Sequence, residues 1–289
     1  MRGHAEPQLV EDQEDESAFV TMTDMTVSIL FILLILLAFF ASQLRPKIDE
    51  AKVLAEKDRQ IEVLLKENAA LNRDLGKLQA AKRDKLEQYN AEVAEVRRRL
   101  LTVLQTRIDT EFPELRVRLS PSEDALQFVG EGLFVGGQSD LANDKSAKVR
   151  RIAEIIDAVL PCYTIGAQSA FSESCNAGRA VIESLQIEGH ADSDGSRSLN
   201  VNLGAARALT TYNVMTGHIP RLIDHQNLEH QPVLSVASYG EDRPIAGNTT
   251  PEGKSLNRRI DLRFIMVRPA RVDDIAKIDA ALRGGGNSP

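Results

Sequence analysis

The chain has 289 residues, of which 27% are charged and 43% hydrophobic, and a formal net charge of -7. This composition is typical of a folded protein and excludes a largely disordered one, and the length suits one or two domains. The acidic balance, without a stripe of Lys and Arg, argues against nucleic-acid binding by this chain.

The first predicted element is a membrane-spanning helix at residues 19–42. The stretch from Phe19 to Ala41 is largely apolar and contains one charged residue, Asp24, and about 20 apolar residues cross a hydrocarbon core of ~30 Å. No small-residue cleavage site of the A-x-A kind follows it, so we expect a retained anchor and not a cleaved signal peptide. Apolar residues occur on every face of this helix and not on one stripe, which favours a membrane span over a helix packed in the core of a soluble domain.

The charged residues on the two sides of this span bear on its orientation in the membrane. Residues 1–18 form an acidic head, whereas Arg45, Lys47 and Lys52 follow the span. An excess of Lys and Arg after the span would by itself place the C-terminal part of the chain in the cytoplasm.

Residues 47–108 are predicted to form a long helical stalk. The segment lacks Pro and is rich in Ala, Glu, Lys, Leu and Arg, as in long helices. Residues spaced by four and three predict a coiled-coil seam with a polar Asn in it, which favours a parallel homodimer. A solvated single helix or a helical hairpin are the alternatives. The seam consists of Ile61, Leu64, Asn68, Leu71, Leu75 and Leu78, then resumes in a shifted phase at Leu86, Tyr89, Val93, Val96, Leu100, Val103 and Arg107.

A globular domain is predicted at residues 115–268, followed by a tail at 269–289 whose end is rich in Gly. Strands that alternate with helices predict an α/β fold or an α+β sandwich. The predicted strands are Ala125–Val129, Glu183–Glu188, Val233–Ser238 and Arg259–Val267, and the predicted helices are Lys145–Leu160 and Asn200–Thr216.

The two cysteines, Cys162 and Cys175, flank a polar stretch of this domain. No His stands at the spacing of a zinc site to them. A disulfide is expected if the domain is periplasmic, and two free thiols are expected if it is cytoplasmic.

A series of motifs in the domain carries a family resemblance. The stretch from Ile187 to Gly195, Ile-Glu-Gly-His-Ala-Asp-Ser-Asp-Gly, is followed by Asn200, Leu203 and Arg207, and much later by the run Asn257–Arg263. This pattern resembles the OmpA-like peptidoglycan-binding domain from about Leu126 to Phe264. The resemblance implies that the domain binds the cell wall.

The same motifs place charges of opposite sign near one another. Asp192 follows a predicted strand and Arg207 lies on the next helix, so a carboxylate and a guanidinium could hold a zwitterion. The resemblance implies that both hold the diaminopimelate of the peptidoglycan stem peptide, that Asn200 and Leu203 line the same pocket, and that Arg259 assists. A purely structural salt bridge between Asp192 and Arg207 is the alternative.

We do not expect an enzyme. His190 has no nucleophile or second base near it in sequence, and neither a carboxylate pair nor a metal site for wall cleavage is evident. The sequence indicates no cofactor and no metal.

Asp24 is a carboxylate in a membrane helix, which by default indicates function. An acidic head, a span with an early Asp, a helical stalk and an OmpA-like domain resemble MotB-type stator subunits. The resemblance implies that Asp24 carries protons, that a homodimer sits in a pentameric ring of MotA- or ZorA-like multi-span subunits, and that the chain lies in the bacterial inner membrane. It also implies a cytoplasmic N-terminus and a periplasmic C-terminal domain. The alternative is that Asp24 only marks the membrane interface.

Within this family the acidic head and the Leu- and Ile-rich span without Trp are more similar to the ZorB subunits of Zorya anti-phage defence systems than to flagellar MotB. A flagellar stator subunit and a passive tether between membrane and wall, without ion transport, are the alternative functions.

Overall fold

The computed structural model describes residues 11–130 and 133–284, and the side chains of these residues except 11–21, 45–49 and 51. Part of the predicted acidic head and the Gly-rich end of the tail therefore lie outside the described residues. The chain divides into two compact units, residues 1–77 and 78–289, and each is described by itself.

The described part of the first unit belongs to helix α1, which has the bounds Glu11–Glu111. Within it, Met22–Leu44 is long and apolar enough to cross a membrane, with a mean hydropathy of 2.7, and it is the one such segment among the described residues. The apolar side chains of the predicted seam, such as Ile61, Leu64 and Leu71, are more than half exposed in the single chain. An unpartnered apolar stripe of this kind is what a coiled coil buries.

The last part of α1 belongs to the second unit, and here residues of the predicted seam pack inside the domain. Tyr89, Val93 and Leu100 are buried in the domain's own hydrophobic core, together with Leu104 and Ile108. The expectation that residues 86–107 continue the stalk seam is therefore wrong for these side chains. Their own domain covers this apolar face. Residue spacing alone does not show whether such a face packs against a partner helix or against the domain to which it belongs.

The second unit contains one mixed five-stranded sheet with the strand order β1-β2-β5-β3-β4. Strands β3 and β4 are parallel, whereas the other neighbouring pairs are antiparallel. The strands are β1 Val117–Leu119, β2 Ala125–Phe128, β3 Ile182–His190, β4 Leu234–Gly240 and β5 Ile260–Met266. The remaining helices are α2 Asn143–Asp157, α3 Arg197–His218, α4 Pro251–Asn257 and α5 Val272–Gly284. Short 3-10 helices lie at Pro113–Leu115, Leu160–Cys162 and Pro220–Asp224.

This architecture confirms the predicted fold class: an apolar N-terminal helix, a long helix and then an α/β domain. Each strand and helix predicted in the domain is present with ends shifted by a few residues. Strand β1 and helices α4 and α5 were not predicted. Helix α5 lies inside the segment that the sequence suggested was a tail, and its buried Ile278 and Leu282 join the core.

The sheet has one apolar face and one polar face because side chains alternate along each strand. Leu185 and Ile187 of β3 lie beside Phe264 and Leu262 of β5 on the apolar face, and all four are buried. On the opposite face Glu188 lies beside Asp261.

Helix α3 approaches β3 at a pair of glycines. A Cβ added to Gly189 would collide with the backbone of Gly204, and one added to Gly204 would collide with Ser238 and with Gly189. Only glycine allows this close approach of helix and strand. The contact fixes α3 against the end of β3, and Arg207 lies less than one helical turn further along α3.

Candidate functional site

A cavity of about 190 Å³ opens beyond the end of β3. Four of the five residues predicted to bind peptidoglycan line it: Asp192, Asn200, Leu203 and Arg207. The rest of its described lining consists of Gly136, Gly137, Ala191, Asp194 and Arg258. Two acidic and two basic side chains thus meet in a small concave site, which is the arrangement expected for a compact polar ligand.

Arg207 is buried in the wall of this cavity, with 1% of its surface exposed. Its guanidinium donates to backbone carbonyls, at 2.8 Å to Gln138 O, 3.1 Å to Val135 O and 3.4 Å to His190 O. The pKa of Arg207 is lowered to about 10, mainly by burial and also by the charge of Arg258, whereas Asp192 acts to raise it. Arg207 therefore remains cationic at neutral pH and is held in place by peptide groups.

Asp192 forms a salt bridge with Arg258, which also lines the cavity. Nη1 of Arg258 lies 2.8 Å from Oδ2 of Asp192, and the backbone N–H of Asp194 donates to Oδ1 at 3.1 Å. The structural salt bridge between Asp192 and Arg207, the alternative considered from sequence, is replaced by this Asp192–Arg258 pair. Asp192 lies in the loop after β3, and Arg258 lies two residues before the start of β5.

The structure places Arg259 outside the lining of the cavity, and its expected assisting role in ligand binding stays a prediction. It is buried, its Nε donates to Asp261 at 3.0 Å, and its Nη2 donates to Arg243 O at 3.0 Å. Neighbouring residues of an extended chain point to opposite sides. Arg258 therefore lines the cavity and Arg259 does not, although the sequence analysis assigned a role only to Arg259.

The first turns of α3 supply the remaining predicted residues. The side chain of Ser196 caps the helix by accepting from the N–H of Leu199 at 3.3 Å, as Ser commonly does. Asn200 is buried and donates its amide to Glu241. Leu203 is half-buried and forms an apolar part of the wall.

The lining also includes residues that the sequence reasoning missed. Gly136 and Gly137 come from the loop between β2 and α2, and a Cβ at Gly137 would meet open space. Its φ of +72° is a conformation that favours glycine. Asp194 lines the cavity and accepts from Lys254 at 2.6 Å. A Gly-Gly pair in a predicted loop was a visible but unspecific signal.

Behind the cavity, Glu188, His190 and Asp261 form a buried cluster whose ligand atoms lie within 4.8 Å of one another. Arg263 donates to both oxygens of Glu188, and Arg259 to both oxygens of Asp261. Burial lowers the pKa of His190, although Glu188 and Asp261 oppose this. With their carboxylates already bound by arginines, these groups have the chemistry of an internal ion network and not of a metal site.

The structure pairs Cys162 with Cys175 in a disulfide, with their Cα atoms 6.1 Å apart. Glu173, inside the closed loop, accepts from Arg283 of α5 at 2.7 Å. The loop is thereby joined to the last described helix.

In the first unit, Asp24 lies near the start of the apolar segment Met22–Leu44 and its side chain is exposed. Within the same turn the Thr26 hydroxyl donates to the carbonyl of Met22 at 3.0 Å.

No family model matches the chain. A segment of 78 residues, 27% of this chain, is 37% identical to 20% of outer membrane porin F of Pseudomonas aeruginosa. A segment of 79 residues, also 27% of this chain, is 34% identical to 41% of the peptidoglycan-associated lipoprotein of Pseudomonas putida. The chain thus matches less than half the length of these relatives.

Among solved structures, the periplasmic domain of Helicobacter pylori MotB is similar to this chain, with 21% identity and a TM-score of 0.35 over 57% of this chain and 87% of that one. This TM-score is too low to support a conclusion about function. A segment of about a quarter of this chain is thus similar in sequence to part of an outer membrane porin and to part of a peptidoglycan-associated lipoprotein.

Proposed function

We propose that the second unit binds peptidoglycan and anchors the chain to the cell wall. The observation that carries this proposal is the cavity in which Asp192, Arg207 and Arg258 converge. A lipoprotein whose name states that it is peptidoglycan-associated is 34% identical over 79 residues of this chain, and this similarity supports the same ligand.

The charges of the cavity suit the diaminopimelate residue of a stem peptide. The free end of this side chain carries an ammonium group and a carboxylate on one carbon. Asp192 is the acceptor for the ammonium group, and the guanidinium groups of Arg207 and Arg258 are donors for the carboxylate. Asn200 and Leu203 complete the wall and limit the size of the ligand.

The disulfide supports a periplasmic location for this unit, because disulfides persist in oxidising compartments such as the bacterial periplasm. The apolar segment Met22–Leu44 then anchors the chain in the inner membrane with its N-terminus in the cytoplasm. The excess of Lys and Arg after the span favours the opposite orientation, but a disulfide in the cytoplasm would be the rarer arrangement.

We further propose that the chain is the B-type subunit of a MotA/MotB-like proton-driven motor. Asp24 supports this, since a passive tether needs no carboxylate in its membrane segment. The exposed apolar residues between Ile61 and Leu75 support a parallel homodimer. A pentameric MotA- or ZorA-like multi-span subunit is the expected partner, and anti-phage defence of the Zorya type is the proposed role.

Binding to isolated peptidoglycan sacculi tests the anchoring function. The full chain in detergent should sediment with sacculi, and Arg207→Ala should weaken this sedimentation because the cavity loses a buried cation. Arg151→Ala, an exposed α2 residue paired with Glu111 and Glu154, is the control and should bind as the wild type does. Equal binding by Arg207→Ala and the wild type would exclude the cavity as the binding site.

A further inference from the structure

Arg259 connects three segments of the domain through one buried side chain. Its Nε donates to both carboxylate oxygens of Asp261, at 3.0 and 3.2 Å, within β5. Its Nη2 lies 3.0 Å from the carbonyl of Arg243, in the loop after β4, and 3.4 Å from Nε2 of His190, at the end of β3. The backbone carbonyl of Arg259 also accepts from the N–H of His190 at 3.0 Å.

Each of these segments contributes to the cavity. The carbonyl of His190 accepts from Arg207, and Asp192 lies two residues further along the same segment. The loop that contains Arg243 also contains Glu241, which accepts from the amide of Asn200. The third segment leads into β5 and contains Arg258, which lines the cavity and directly precedes Arg259 in the chain.

Stability alone does not require this arrangement. Buried ion pairs often stabilise a fold no more than packed apolar side chains of similar volume do. Here the Nη1 of Arg259 is buried without a hydrogen-bond partner in the part of the chain that the structure describes, which carries a further penalty. The directional bonds of a guanidinium do, however, fix the relative positions of three chain segments in a way that an apolar side chain cannot.

We propose that Arg259 is a positioning residue that acts through Arg258. By holding the start of β5 against the ends of β3 and β4, it sets the Arg258 guanidinium at the distance from Arg207 and Asp192 at which one ligand carbon can present its carboxylate and its ammonium group together. Arg259 therefore determines the preference of the cavity for a zwitterionic ligand end over a simple amine. This inference rests on the proposed peptidoglycan-binding function.

Two muropeptides test the inference: a disaccharide tetrapeptide with diaminopimelate at its third position, and the same molecule with lysine there. The lysine form lacks the carboxylate and is otherwise matched. The quantity to measure is the ratio of the two dissociation constants for the full chain in detergent. This ratio does not depend on the fraction of protein that is folded, so a merely structural role for Arg259 would leave it unchanged.

We expect Arg259→Met to reduce the preference for diaminopimelate by about tenfold, the effect of one misplaced charge-assisted hydrogen bond. Arg259→Lys keeps the charge but cannot contact three acceptors with fixed geometry, so it should reduce the preference by about threefold. If Arg259→Met does not fold, the Arg259→Lys variant alone tests the positioning role.

Arg263→Lys and Arg263→Met are the controls, because Arg263 belongs to the same ion network but binds Glu188 and Asp124. They should keep the ratio within about twofold of the wild type.

A wild-type preference that both Arg259 variants retain would overturn the positioning role and leave the proposed function standing. An equal loss of preference in the Arg263 controls would also overturn it, because the effect would then belong to the network as a whole. A wild-type chain that binds neither muropeptide would instead overturn the proposed function, and the inference with it.

Discussion

Arg258 donates to Asp192 at 2.8 Å across the cavity at the end of β3, although 66 residues separate them in the chain. Both side chains are largely shielded from water, so neither charge is screened as it would be on an open surface. The pair presents one acceptor and one donor to a ligand, and Arg207 supplies the second cation.

This pair gives the first prediction. Asp192→Asn keeps the shape of the side chain but removes the charge that would receive an ammonium group. We expect binding to sacculi to weaken by about tenfold to a hundredfold, since a hydrogen bond to a charged group contributes about 1.5–3 kcal/mol. A sedimentation titration measures it. Asp109→Asn, in the last turns of α1 and away from the cavity lining, is the control, and a similar loss in both variants would contradict the assignment.

The contact between Gly189 and Gly204 predicts a sharp contrast between two substitutions in α3. Gly204→Ala forces a methyl group against Ser238 and the backbone of β3, so we expect it to destabilise the domain by about 1–3 kcal/mol. Gly217→Ala meets nothing within 4 Å and should be neutral or stabilise by up to ~1 kcal/mol. Calorimetric unfolding of the full chain in detergent measures both. Equal effects of the two substitutions would show that α3 is not packed as closely as described.

The buried histidines predict that stability falls on mild acidification. Burial lowers the pKa of His190 and of His225 in the folded protein. The unfolded chain therefore binds more protons below its ordinary His pKa of about 6.5, and stability decreases as the pH falls from about 7 to 5. The carboxylates with lowered pKa, such as Glu188, begin to contribute to the loss of stability only at lower pH.

Replacement of both histidines by Gln should flatten this pH dependence, even if it lowers stability at pH 7. Denaturation midpoints at a series of pH values between 5 and 7.5 give the slopes. A double variant as sensitive to acid as the wild type would show that other groups cause the loss.

The disulfide predicts a dependence on redox conditions. Cys162 and Cys175 are separated by 13 residues, and closing a loop of about this length stabilises a fold by about 3 kcal/mol. Reductant should therefore lower the unfolding temperature of the wild type. The Cys162→Ala, Cys175→Ala double variant should already unfold at the lower temperature and should not respond to reductant. Thiol labelling of the native wild type without reductant would contradict the pairing.

Much of the fold followed from patterns in the sequence, whereas the details of the site did not. The apolar run and the alternating segments such as Glu183–Glu188 predicted the helix and the central strands, because burial repeats with the period of each element. Strand β1 is only three residues long, from Val117 to Leu119, too short for a period to show. Helix α5 was missed because its few apolar residues precede a Gly-rich end.

For the site, the motif placed Asp192 and Arg207 at one cavity, but the roles of Arg258 and Arg259 depend on which side of the chain each residue faces. The contacts of each side chain determine the side that it faces, and the spacing of charged residues in the sequence does not reveal those contacts. The burial of Tyr89 and Val93 in the domain core is a similar case. Their spacing fits a partner helix equally well, and only the competing surface of the domain determines where they pack.

The most direct measurement of the central claim, an ion-driven motor anchored to the wall, is phage plaquing on cells that carry this gene with its genomic neighbours. Wild type should protect the cells, and Asp24→Asn should abolish protection while expression and sacculus binding stay intact, since an amide cannot carry a proton as a carboxylate does. Protection that survives Asp24→Asn would contradict the motor and leave a passive tether. A lack of protection by the wild type would contradict the defence role.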